Sequence, residues 1–276
     1  MTNTKAVTLD DILNRNIKLP VCPTVFMRLT TDLKAPTIHN IELVEVMSSD
    51  PSLTAKVLKA ANSAFYGPTR NIRSVEQAIV RIGYDEVWSI AVAAKGKELF
   101  EGAGAEAHFF AMLWDHSLKT GVFARALAKR LISQCQDDAY FTAGILHDFG
   151  KLLFAQLDKR YVAATQCGKV HGDDLVRLEL DMFGTDHATL GGELLKYWKL
   201  PDLIVQPVAR HHDSDLMTSS PKAMARMIWS ANQLAHDVEA QLSIPLELME
   251  RAGLSKQDVV FVATETLRQI AVIRTV

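Results

Sequence analysis

Five of the nine histidines and one aspartate are the residues whose types could do chemistry: His116, His147, Asp148, His187, His211 and His212. Imidazole nitrogens suit borderline divalent metals and carboxylate oxygens suit harder ones, so the mixed set is that of a hydrolytic metal site. His147 and Asp148 are adjacent, and neighbours on a helix diverge by about 100°. Both reach one metal only near a helix end or facing a cleft, with further ligands arriving from other helices. His116, on the preceding helix, is the natural third. Lys151 shares a helical face with His147 and Asp148. Its ammonium could meet a phosphate oxygen there, which makes it the candidate catalytic residue.

Plainer roles compete with these. A single helical histidine is more often a hydrogen-bonded structural group, and that reading is taken for His39, His108, His171 and His236. His211-His212, followed by Asp213, could also cap a helix C-terminus, where a cation suits the helix dipole. Other catalytic schemes lack their motifs: there is no Gly-x-Ser-x-Gly elbow, P-loop, His-Glu-x-x-His or Cys-x-x-Cys pair. Gly102-x-Gly104-x-x-Ala107 mimics a dinucleotide fingerprint, but no strand precedes it and no βαβ pattern surrounds it.

The elements that must position these residues read as helices throughout, and the expected fold class is all-α. No Asn-Gly or Asp-Gly turn and no sustained period-2 alternation signals a strand. Asp50 and Pro51 read as N-cap and first helical residue. Leu53, Val57, Leu58 and Ala61 form the apolar stripe that follows, and Gly67 ends the segment. Ser74 with Gln77 fits a capping box, and Gly83 breaks that helix before a longer one over Tyr84 to Phe100. A long helix is expected from about His108 to Ile132, and another starts near Asp137 and carries residues through Lys151. Further helices are expected at 158–169, 173–183, 187–198, 201–212 and 222–240, with a kink or break at Pro207. Ser255 with Asp258 caps a last helix to about Ile273, whose Val259, Val262, Ala263, Thr266, Leu267 and Ile270 recur at core-packing spacing.

The 276 residues suffice for one large domain or two small ones. With 30 Lys and Arg against 32 Asp and Glu, the net charge of −2 carries no basic excess toward nucleic acid. Cys22, Cys135 and Cys167 are scattered, which suits free thiols in a reducing compartment. No apolar leader opens the sequence and no run approaches the roughly 20 residues of a membrane span. The expectation is a cytoplasmic protein without nucleic-acid or membrane partners.

Several segments together resemble a known family. They are Leu19-Pro20, Asp50-Pro51-Ser52-Leu53-Thr54, residues Ala61 to Gly67 (ANSAFYG), Ser74 to Ile79 (SVEQAI), Ile82-Gly83, Leu146 to Leu152 (LHDFGKL), and Asp186 to Gly191 (DHATLG). In this order they resemble the HDOD domain, the "HD-related output domain" of bacterial signalling, over about residues 12–215. The resemblance implies a helical lobe packed on a degenerate version of the HD metal-dependent phosphohydrolase fold; with the small, polar segment 101–107 read as the hinge, the expected lobes are 1–104 and 105–240, and 241–276 is a C-terminal helical extension outside the resemblance. His147 and Asp148 match the HD pair and His116 the upstream ligand. His187, His211 and His212 resemble the additional histidines of HD-GYP phosphodiesterases, and Lys151 their lysine. Asn232 stands where a further aspartate is expected, and Asp213 or Asp237 could replace it. A neutral amide weakens binding of a hard cation. Asp213-Ser214-Asp215 follows His212 in place of a GYP segment, which argues against a cyclic-di-GMP phosphodiesterase.

The first functional expectation is a signalling output module that binds a partner protein or small effector, with Asn62 and Tyr66 on the binding surface. Asn62 could instead simply terminate its helix. The alternative is a phosphohydrolase of phosphomonoesters, nucleotides or phosphodiesters. It would use one or two divalent ions (Fe, Mn, Zn, Ni or Mg) at His116, His147, Asp148, His187, His211 and His212, with Lys151 on the phosphate.

Overall fold

The computed structural model describes residues 6–15, 24–31, 39–67, 72–101, 106–132, 137–165, 169–213, 223–237 and 254–274. Leu19-Pro20, the three cysteines, Gly102, Gly104, Asp215 and the 104/105 and 240/241 boundaries lie outside the described residues, as do the side chains of His39 and Asp237. Among the described residues every regular element is a helix. The first six are α1 (Leu9–Asn14), α2 (Thr24–Thr31), α3 (His39–Ser48), α4 (Pro51–Ala61), α5 (Val75–Ile82) and α6 (Tyr84–Leu99). Then follow α7 (Ala107–Leu131), α8 (Asp137–Leu146), α9 (Phe149–Leu157), α10 (Arg160–Ala164) and α11 (Gly172–Phe183). The last four are α12 (His187–Tyr197), α13 (Asp202–Ala209), α14 (Met224–Asp237) and α15 (Lys256–Ile273). The all-α class expected from the sequence is the class observed.

The axis of the molecule is α7. Its 25 residues span about 37 Å, and α8, α14 and α15 pack along it. A Cβ on Gly144 of α8 would lie 2.6 Å from Cα of Gly121 on α7, so the two backbones are in contact and only glycine fits. Helices α2 to α5 gather on α6, and α6 touches α8. The first helix packs elsewhere: Val7 N–H donates to the Phe183 carbonyl (2.8 Å) and Leu9 N–H to the Glu193 carboxylate (3.0 Å) of α12.

The caps explain most helix starts. Asp50 accepts from Leu53 N–H at 3.0 Å, Pro51 occupies the first turn, and Lys95 of α6 clamps the same carboxylate at 2.6 Å. Ser255 and Asp258 form the full capping box of α15, and Arg130 of α7 holds Asp258 at 2.6 Å. Ser74 accepts from Gln77 N–H, but the Gln77 side chain reaches Arg73 N–H instead of returning to Ser74, so only half of the expected box forms.

Other local expectations change, and the helix expected at 158–169 spans only Arg160–Ala164. Helix α4 stops at Ala61, well before Gly67. Asn62 ends it by donating to the carbonyls of Leu58 (2.8 Å) and Ile72 (2.9 Å) and accepting from Ile72 N–H (2.9 Å). It is a clasp closing the loop between α4 and α5, and its amide is used up in that role. Asn62→Ala should therefore cost about 2 kcal/mol, read as a lower urea midpoint with unchanged slope. Retention of the wild-type midpoint would remove the clasp. The segment expected to run unbroken from Asp137 through Lys151 is interrupted at His147–Asp148. Helix α13 continues through Pro207 and closes at Ala209, because a proline in the second turn of a short helix forfeits one backbone bond. On α15, Val259, Val262, Ala263, Thr266 and Ile270 are buried as expected, but Leu267 is 45% exposed.

Candidate metal centre

The break between α8 and α9 is the device that lets two adjacent residues face one point. His147 follows the last residue of α8 and Asp148 precedes the first of α9; both are fully buried. His147 Nδ1 lies 2.7 Å from the Gly144 carbonyl at the end of α8. A carbonyl only accepts, so the proton sits on Nδ1 and Nε2 is free for the interior. His211 repeats the arrangement beyond α13, with Nδ1 at 2.7 Å from the Val208 carbonyl. His211 thus caps the end of α13 through a hydrogen bond rather than as the cation the sequence suggested, and that bond aims its other nitrogen inward.

Asp148 is the common centre. Its Oδ1 lies 3.1 Å from His187 Nε2, 3.3 Å from His147 Nε2 and 3.9 Å from His211 Nε2. Its Oδ2 lies 3.5 Å from His116 Nε2 and 2.6 Å from Lys151 Nζ. His212 Nε2 stands 3.1 Å from His187 Nε2. The six residues fall into two triads, His116–His147–Asp148 and His187–His211–His212, and in each the donor atoms lie within 4.8 Å of one another. His116 Nε2, His147 Nε2, His211 Nε2 and Asp148 Oδ1 are buried without a hydrogen-bond partner. Four buried polar atoms left unsatisfied around Asp148 carry a penalty of about 1–3 kcal/mol each, and cations held by the two triads would relieve them.

The electrostatics agree. Burial alone would raise the Asp148 carboxyl, but the basic side chains of His147 and Lys151 beside it reverse this and hold it well below the usual carboxylate range. Burial pushes His116 and His211 well down, helped by His236 for the first and His212 for the second. Both are therefore neutral imidazoles with a lone pair to give. His187 is the exception. Burial opposes its charge, but Glu179 and the Asp148 contact outweigh burial and Lys151, and the ring is pushed up to about 9. The centre thus favours positive charge beside Asp148.

Above the first triad lies a cavity of about 360 Å³ whose lining includes His116, Asp148, Lys151, His171, His236 and Tyr161. His236 stacks on His116 (centroids 4.2 Å, planes at 30°) and meets His171 edge-on at 4.8 Å. Sequence reasoning read His108, His171 and His236 as structural, yet all three line this cavity. It also missed Glu179 and Tyr161. A signal for Glu179 was present: it interrupts a buried apolar stripe between Leu175 and Phe183 on α11. Asn232 is buried with its Oδ1 unpartnered, one turn before His236. Asp213 is instead paired with Arg210 at 2.7 Å. Tyr66, placed by the sequence on an effector surface, gives its hydroxyl to Glu86 (2.8 Å), and its ring lines a separate cavity with Phe65 and Phe261.

A model of the HDOD domain matches residues 19–214. The crystal structure of an HDOD domain protein of unknown function from Geobacter sulfurreducens superposes with a TM-score of 0.73 at 23% identity, covering 96% of this chain and 95% of that one. A candidate phosphohydrolase from Shewanella amazonensis SB2B gives 0.69 at 24% identity, with 95% and 97% covered. An uncharacterized protein of Treponema pallidum (strain Nichols) is 22% identical over 245 residues, 88% of this chain. The chain spans about half, 47%, of that relative's length.

Proposed function

The chain belongs to the HDOD family, and from that premise we propose that it holds one or two divalent metal ions and hydrolyses a small phosphate ester in the cavity above them. The observation that carries this is the convergence of four buried, unpartnered ligand atoms on the point around Asp148. His116, His147 and Asp148 would hold one ion and His187, His211 and His212 the other, with Asp148 reaching toward both triads. Such an ion supplies Lewis acidity toward a phosphoryl oxygen and activation of water.

The chain's own groups do the rest. Lys151 Nζ spends one N–H on Asp148 at 2.6 Å and reaches the cavity with the others, where a phosphate oxygen would take them. His236 is held neutral, pushed down to about 3 by burial and the Lys151 charge. It can therefore hydrogen-bond a substrate without adding charge beside Lys151. Phe109, Leu113 and Leu175 wall the cavity with apolar surface that excludes water and strengthens these contacts.

The test is removal and re-addition of metal while hydrolysis of generic phosphate esters is followed. Turnover should vanish and return, and Lys151→Ala should lower kcat/KM by about 100-fold. Absence of metal-dependent turnover, or equal rates in the variant, would overturn the hydrolase reading. A second reading would then stand: a signalling module that docks a partner. Its support is the pair of half-exposed aromatic residues Phe65 and Phe261, which line one cavity with Tyr66.

A further inference from the structure

The six centre residues do not explain Glu179. It lies on α11, outside both triads, and is fully buried. Its carboxylate bonds two residues. Oε1 accepts from Tyr161 O–H at 2.5 Å. Oε2 accepts from the backbone N–H of His187 at 2.9 Å and from His187 Nδ1–H at 2.7 Å. A buried carboxylate is costly unless its lone pairs are met, so its place in an apolar stripe calls for a reason. Tyr161, fully buried on α10, packs its ring on Phe154 (5.4 Å) and Phe183 (5.8 Å), which fixes the direction of its hydroxyl.

We infer that Glu179 is the positioning residue of the centre: held by Tyr161, it fixes the ring plane of His187 and keeps a proton on Nδ1, so that Nε2 is the atom presented to Asp148 and His212. Two bonds from one oxygen, to the backbone and to the ring of the same histidine, leave His187 no other orientation that keeps both. Outer carboxylates of this kind set the tautomer and raise the basicity of a metal-ligating histidine, and their loss costs about 10–100-fold in metal affinity. Tyr161 lines the cavity and Glu179 touches His187, so the clamp also ties the cavity wall to the second triad.

The inference rests on the metal reading for its consequence but not for its geometry, and two measurements separate them. The first is ring nitrogen–proton NMR on protein stripped of metal. In wild type the buried His187 Nδ1–H should give a slowly exchanging, strongly downfield signal. In Glu179→Gln that signal should shift or disappear, and in Tyr161→Phe it should move less. The second is titration with Zn²⁺ followed by calorimetry. Glu179→Gln should weaken one class of site by about 10–100-fold and leave the other unchanged, and Glu179→Asp should recover part of the loss. An unmoved His187 signal in both variants overturns the positioning role whatever the metal result. A moved signal in protein whose wild type takes up no metal upholds the clamp and defeats only the metal reading. Tyr161→Phe keeps the question open to test where Glu179→Gln does not fold.

Discussion

Asp148→Asn should strip metal from both triads, whereas His147→Ala should empty only the first. Asp148 stands against both sets: Oδ1 faces His187, His147 and His211, and Oδ2 faces His116. Its charge is what a hard cation would seek in a centre otherwise built of imidazoles. Loss of this ligand should exceed the roughly 10–100-fold penalty of an outer-shell change. Elemental mass spectrometry after equilibration with dilute Zn²⁺, Mn²⁺ or Fe²⁺ reads the result directly. Equal metal in wild type and both variants, with all three folded, would mean that the triads are hydrogen-bonding remnants. A loss from Asp148→Asn alone would mean that His147 serves only to cap α8.

Gly150→Ala should be the most disruptive single methyl group near the site. The expected cost is about 3 kcal/mol or more, at or beyond the upper end of the usual range for overpacking. A Cβ at this position would lie 2.0 Å from the His187 carbonyl oxygen and 2.9 Å from its Cα. Both obstacles are backbone and cannot rotate away. Helices α9 and α12 would have to part, and parting them carries His187 away from Asp148. Urea unfolding measures the loss. Gly191→Ala, which would meet Gly150 N at 3.1 Å, should cost less. Equal midpoints for wild type and Gly150→Ala would show that the two helices are not in backbone contact.

These two expectations also separate what a linear reading could see from what it could not. The helices were legible because their signals are short-range. Asp50-Pro51, Ser255 with Asp258 and the Gly83 stop each act within one or two turns, and each acts as read. The six centre residues were legible as types, since histidine and aspartate in this number have few uses on apolar helices. Their division into two triads was not legible. It depends on the break at His147–Asp148 and on which helix ends meet, and a run such as Ile145 to Lys151 is equally compatible with an unbroken helix. Asn62 was legible as a possible helix stop, but its bonds to the next loop were not, for the same reason. Its partner Ile72 lies ten residues on, beyond any local motif.

Glu179 and His236 mark the deeper limit. Sequence alone determines that α11 has an apolar stripe with a carboxylate in it, and that α14 carries a histidine near its end. What those groups do depends on Tyr161, His187 and His116, which other helices bring to them. The sequence by itself therefore determined the helical class, the caps and the inventory of candidate ligands, because propensity and capping are properties of neighbouring residues. Only the tertiary structure decided which lone pairs converge, which proton each ring carries and which cavity they face. Those are set by distances between elements far apart in the chain, and a polar group's chemistry follows from what it is buried against.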